Sequence, residues 1–117
     1  MQQLIEQYIA CWNERDPDQR RKLIGQVWAD DASYVDPLAE AHGTEQIGDV
    51  IAGAQAQFPG LSFTLTGRVD AHHNQARFRW GLGPDGADPV VEGFDVAVTG
   101  PDGRIASVLG FLDKVPG

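Results

Sequence analysis

The hydrophobic period of this chain changes once, at Pro59-Gly60. Before that point apolar residues recur every three or four positions. After it they alternate with polar ones every second position. The first period belongs to a helix and the second to a strand. Helical segments followed by alternating ones specify an α+β class, with helices on one face of an antiparallel sheet. At 117 residues the chain fits one domain, long enough to bury a single core.

The first helix is read over residues 2–14, where Leu4, Ile5, Tyr8, Ile9 and Trp12 form one stripe. Asp16-Pro17-Asp18-Gln19 carries a capping acid, a proline suited to the first helical position and a capping-box spacing. The second helix is expected to run to about Ala29, with Leu23, Ile24, Val27 and Trp28 on its apolar face. Asp30-Asp31 would end it in solvent. Tyr34-Val35 reads as a short extended run, and residues 38–42 as a loop. Gly43-Thr44 opens a third helix, whose stripe is Ile47, Val50, Ile51, Ala54 and Phe58. Four strands follow, joined by His72-His73-Asn74-Gln75 and by two Gly-Pro-Asp-Gly turns. Gly67 marks a bulge. With Tyr34-Val35 added, the sheet is expected to be strongly curved.

Alternation divides the strand from Val90 to Thr99 into two faces. Val90, Glu92, Phe94, Val96 and Val98 lie on one, too apolar to be left in water. Val91, Gly93, Asp95, Ala97 and Thr99 lie on the other, which would line a cavity under the helices. The bulky face would then pack on a second copy of the chain, giving a homodimer through the sheet. In the last strand Ala106, Val108, Gly110 and Leu112 share a face.

Two acids stand out. Asp36 precedes Pro37, whose ring holds it extended; a carboxylate there suits either a general base or a plain turn. Asp95 sits on the small apolar face, where burial favours its neutral form. It would donate a hydrogen bond from that form, or pair with Arg77 or Arg79 on a neighbouring strand. His72 and His73 read as surface residues, and His42 could reach a pocket mouth. The spacing of the three gives no metal site. No Gly-rich phosphate loop, Cys pair or nucleophile elbow is present.

Formal net charge is −8, and the basic run Arg20-Arg21-Lys22 fans around a helix turn. Nucleic acid and anionic membranes are excluded as partners on that balance. Cys11 is alone, which fits a reducing compartment. No segment has the length of a membrane span or the form of a signal peptide, so the cytoplasm is the expected location.

The order helix, helix, Trp28-Ala29-Asp30-Asp31-Ala32-Ser33-Tyr34-Val35-Asp36-Pro37, helix, four strands resembles the nuclear transport factor 2-like superfamily. Within it, the chain is similar to SnoaL-like and ketosteroid isomerase-like proteins over nearly its whole length. Tyr8-Ile9, Gly43, and Asp95 ahead of Asp102-Gly103-Arg104-Ile105 complete the match. The resemblance implies a cone-shaped α+β barrel: three N-terminal helices packed on a strongly curved, mostly antiparallel sheet. It implies an apolar pocket for a small hydrophobic, ketone-bearing molecule and chemistry without metal or other cofactor, of isomerase or aldol-cyclase type. By analogy with ketosteroid isomerases, Asp36 would remove a proton beside the carbonyl, while Tyr8 and neutral Asp95 stabilise the enolate oxygen. Trp12, Trp28, Phe58, Val91 and Val108 are expected to wall the pocket. Where those isomerases carry supporting tyrosines, this chain has Trp28 and Ile51. The acid that limonene epoxide hydrolases place on the last strand falls near Gly110. The alternative is a binding or dimerisation module without catalysis, since one fold supports both.

Overall fold

A computed structural model describes residues 1–116. The elements are α1 (Gln2–Asn13), α2 (Pro17–Val27), β1 (Trp28–Val35), β2 (Glu40–His42), α3 (Gly43–Gln57), β3 (Ser62–His72), β4 (Gln75–Gly83), β5 (Val91–Thr99) and β6 (Ile105–Lys114). Three helices pack on one six-stranded sheet of order β2-β1-β6-β5-β4-β3. The sheet is curved and not closed, as the α+β reading requires. Every neighbouring pair is antiparallel except β1 with β6.

Helix starts and stops follow the local chemistry. Asp16 Oδ1 accepts from the backbone N–H groups of Asp18 and Gln19, and Pro17 opens α2. Gly60, at φ +80°, turns the chain out of α3 after Phe58. The β3–β4 register breaks between Thr66 and Asp70, around Gly67 at φ +85°.

Two local readings are corrected. The second helix stops at Val27, so Trp28, Ala29, Asp30 and Asp31 belong to a strand. Between Trp28 and Ser33, β1 bulges away from β6, and the exposed Asp30-Asp31 pair lies in that bulge. Parallel pairing with β6, distant in sequence, overrides a helical pattern that ends at an ambiguous Trp. Residues 38–42 are likewise not all loop, because Ala41 pairs with Tyr34 in the short strand β2. Ala41 is buried where its neighbours are exposed.

The helices bury their stripes on the concave side of the sheet. Ile5, Ile24, Val27, Trp28, Ile47, Ile51, Phe78, Ile105 and Val108 are among the most fully buried residues of the core. On β5 the small face points inward as read: Val91, Gly93, Asp95 and Ala97 are buried, and Phe94, Val96 and Val98 are half-buried outside. Polar bonds fix α1. Asn13 exchanges two hydrogen bonds with the Phe63 backbone, at 2.7 and 2.8 Å. Gln55 donates to the Trp12 and Glu14 carbonyls. No helix is long and apolar enough to cross a membrane.

Gly25 sits inside α2 with open space where a side chain would stand. Gly25→Ala is expected to raise stability by up to about 1 kcal/mol, read as a higher denaturant midpoint at unchanged m-value.

Candidate functional site

One end of the space between helices and sheet is unfilled. The cavity measures about 750 Å³. Ile9, Val50, Ala54, Phe58, Phe63, Leu82 and Val91 give it apolar walls, and Leu38, Val115 and Pro116 stand at its mouth. Trp12, Phe58 and Val91, expected in the wall, are there. Trp28 and Val108 are not: both are fully buried in the core behind it. The Trp28 ring packs at 5.4 Å on the Tyr8 ring, supporting the phenol from outside the cavity. His42, His72 and His73 are exposed and away from the lining.

Tyr8, Asp36 and Asp95 all reach the cavity. The Tyr8 hydroxyl donates to Asp95 Oδ2 at 3.0 Å, and both groups are buried. Tyr8 comes from the middle of α1 and Asp95 from the middle of β5, so this bond spans helix and sheet. Tyr34 supplies a second phenol that the sequence reading missed. Its hydroxyl donates to Asp36 Oδ2. Asp36 Oδ1 accepts from the Leu38 and Ala39 backbone N–H groups, both at 2.8 Å. Asp36 therefore holds its own turn while its second oxygen holds Tyr34.

The two expected arginine partners of Asp95 are engaged elsewhere. Arg77 pairs with Asp70 at 3.1 Å and Arg79 with Asp113 at 3.6 Å, all on the outer face. Asp95 consequently has a phenol and an indole against it. Burial pushes its carboxyl from 3.8 up to about 7, against the pull of the Trp80 indole and Tyr8 hydroxyl, with the Asp36 charge adding to the rise. Burial also raises the Tyr8 and Tyr34 phenols, and the Asp95 charge raises both further. These phenols are held as hydrogen-bond donors near neutral pH.

Two glycines make room for this arrangement. Trp80 lies over Gly93, its partner across β4 and β5; a β-carbon at Gly93 would overlap the indole ring. Gly110, opposite Asp95 on β6, lies under the Asp95 carboxyl. The Trp12 indole N–H is buried without a hydrogen-bond partner among the described residues. No group of three or more His, Cys, Asp or Glu side chains is placed to hold a metal ion among the described residues.

Tyr34 was legible in principle. It precedes Asp36 by two positions in an extended run, which puts both on one face. The contact of Trp80 with Gly93 was not, because it depends on strand register.

The folded chain binds the Asp95 proton more tightly than the unfolded chain does. Between the ordinary carboxyl range and about 7 the unfolded state holds fewer protons, so this contribution is present at low pH and is lost as pH rises through about 7. Asp95→Asn removes it. Relative to wild type, the variant is expected to gain stability between about pH 4 and about pH 7, on the order of a few kcal/mol. Denaturant midpoints across that range measure the difference, and parallel profiles would refute the assignment.

The SnoaL-like domain family model matches residues 5–108. A crystal structure of a "putative isomerase of the SnoaL-like family" from Agrobacterium tumefaciens str. C58 is 43% identical, with 95% of each chain covered and a TM-score of 0.90. A SnoaL-like protein of unknown function from Burkholderia thailandensis E264 is 24% identical, covering 95% of this chain and 92% of its own, at a TM-score of 0.73. A "putative SnoaL-like polyketide cyclase" from Jannaschia sp. CCS1 is 17% identical, covering 96% and 86%, at 0.72. No functionally curated protein matches the chain.

Proposed function

This chain belongs to the SnoaL-like domain family, and from that premise and its cavity we propose that it is a cofactor-free acid–base catalyst. It would act on a small, apolar, ketone-bearing molecule by isomerisation or intramolecular aldol closure. The observation that carries this reading is the meeting of two phenol–carboxyl pairs, Tyr8–Asp95 and Tyr34–Asp36, at one apolar cavity. The isomerase name of the Agrobacterium relative supports the reaction type.

Asp95 is the proton-exchanging group. A carboxyl near 7 binds and releases a proton at neutral pH, where acid–base catalysis is most effective. It takes the proton from the carbon beside the carbonyl and returns it at the position that completes the reaction. Tyr8 stabilises its charged form by donating to Oδ2. Tyr34 is the donor for the developing enolate oxygen, held in place by Asp36. Asp36 already accepts three hydrogen bonds, which engage both of its oxygens in holding Tyr34 and the turn. Donors of this kind typically contribute a few kcal/mol in a water-poor site.

Deuterium exchange at the α-carbon of 2-tetralone, followed by NMR, tests the assignment. Asp95→Asn is expected to slow exchange by about 100-fold or more with the far-UV spectrum unchanged. Asp36→Asn keeps the turn acceptor and is expected to have a smaller effect. The reverse order would return the base to Asp36. Full activity in both variants would sink the acid–base assignment, and no exchange by wild-type protein would favour a non-catalytic binding module.

The proposal extends to a homodimer through the outer sheet face. Phe111 is 58% exposed there and Leu109 48%, beside half-buried Phe94, Val96 and Val98. A second copy would cover this apolar surface. Light scattering at micromolar concentration is expected to give twice the chain mass, and a monomer would count against it.

A further inference from the structure

β6 runs between β1 and β5, so it separates the two strands that bring the acids to the cavity. Asp95 pairs directly with Gly110, and Val35 pairs with Leu109, which leaves Asp36 level with Gly110 on the other side. A β-carbon at Gly110 would stand 2.8 Å from Asp95 Oδ1, 3.3 Å from Asp36 Cβ and 3.5 Å from the Val35 carbonyl oxygen. Heavy atoms do not approach a β-carbon as closely as the first of these distances. Gly110 is not among the glycines with positive φ, so its backbone does not demand glycine. What the position needs is the missing side chain.

We propose that Gly110 is a positioning residue: its bare α-carbon lets the Asp95 carboxyl lie over β6 beside the Asp36 side chain, fixing Asp95 where it meets the ligand. Strands two apart in a sheet are separated by roughly 9.6 Å, so the two acids reach one site only if nothing stands between them. The close approach also couples them, since the Asp36 charge raises the proton affinity of Asp95. The other groups facing Asp95 are Tyr8 from α1, Tyr34 from β1 and Trp80 from β4. Arg77 and Arg79 of β4 face away. Gly110→Ala would leave the strand intact and push the movable end of the Asp95 side chain off β6, away from Asp36.

This inference rests on the proton-exchanging role given to Asp95, but its principal test does not use turnover. The carboxyl carbon of Asp95 is titrated by NMR in isotopically labelled wild-type protein and in Gly110→Ala. The midpoint, near 7 in the wild type, is expected to fall by at least about half a pH unit in the variant. In the Asp36→Asn background, Gly110→Ala is expected to shift it much less. Exchange of 2-tetralone would lose about tenfold or more in kcat, with KM little changed. A variant that loses stability while its Asp95 midpoint stays put has only a structural glycine, and the proposal fails. Should Gly110→Ala not fold, Asp36→Asn alone tests the coupling: an unmoved Asp95 midpoint there overturns it. Wild-type protein that exchanges no ketone would defeat the catalytic reading while leaving the titration to decide this one.

Discussion

The burial of Asp95 is the constraint from which the site follows. An acid at 2% exposure must either find a cation or hold its proton. In this fold the nearest arginines lie on the opposite face of the sheet, tied to Asp70 and Asp113. What reaches Asp95 from the inside is a phenol carried by α1 and an indole carried by β4. Both stabilise the carboxylate without neutralising it. The result is a carboxyl pushed up to about 7 at the wall of an apolar cavity.

The two phenol–carboxyl pairs look alike and are built differently. Tyr8 and Asp95 are far apart in sequence, and their bond forms only when α1 docks on the sheet. Tyr34 and Asp36 are two residues apart at the end of β1, and the Asp36 carboxylate closes its own turn by accepting from the Leu38 and Ala39 backbone. The first pair depends on the whole fold and the second is nearly local. The proposed roles follow this difference, with the local pair as the fixed anchor and the long-range pair as the proton-exchanging one.

Much of this was legible in the sequence wherever periodicity had one interpretation. The inward face of β5 follows from alternation alone, and the Ile47-to-Phe58 stripe places α3 correctly. Legibility failed where a local pattern met a distant partner. Trp28 continues the helical stripe of Leu23, Ile24 and Val27, yet parallel pairing with Ile105 makes it the first residue of a strand. Its expected place in the cavity wall was lost with that shift. The cross-strand contacts of Trp80 and Gly110 were invisible for the same reason. Each matters through the residue opposite it, Gly93 or Asp95, and register is set by the assembled sheet.

The cavity and the core share the space between helices and sheet. A space of about 750 Å³ lies on one side, where Trp12 of α1 still packs on Tyr34 and Phe63 at 5.5 and 5.4 Å. Trp28, Ile47, Ile51, Ile105 and Val108 are fully buried outside its lining. Polar bonds add to this packing. Asn13 grips the backbone of β3, Gln55 grips the end of α1, and Arg20 reaches from α2 to Gln55. An open pocket then coexists with a fixed position for Tyr8, because the helix that carries the phenol is anchored at Asn13 and packed at Ile5 on either side of it.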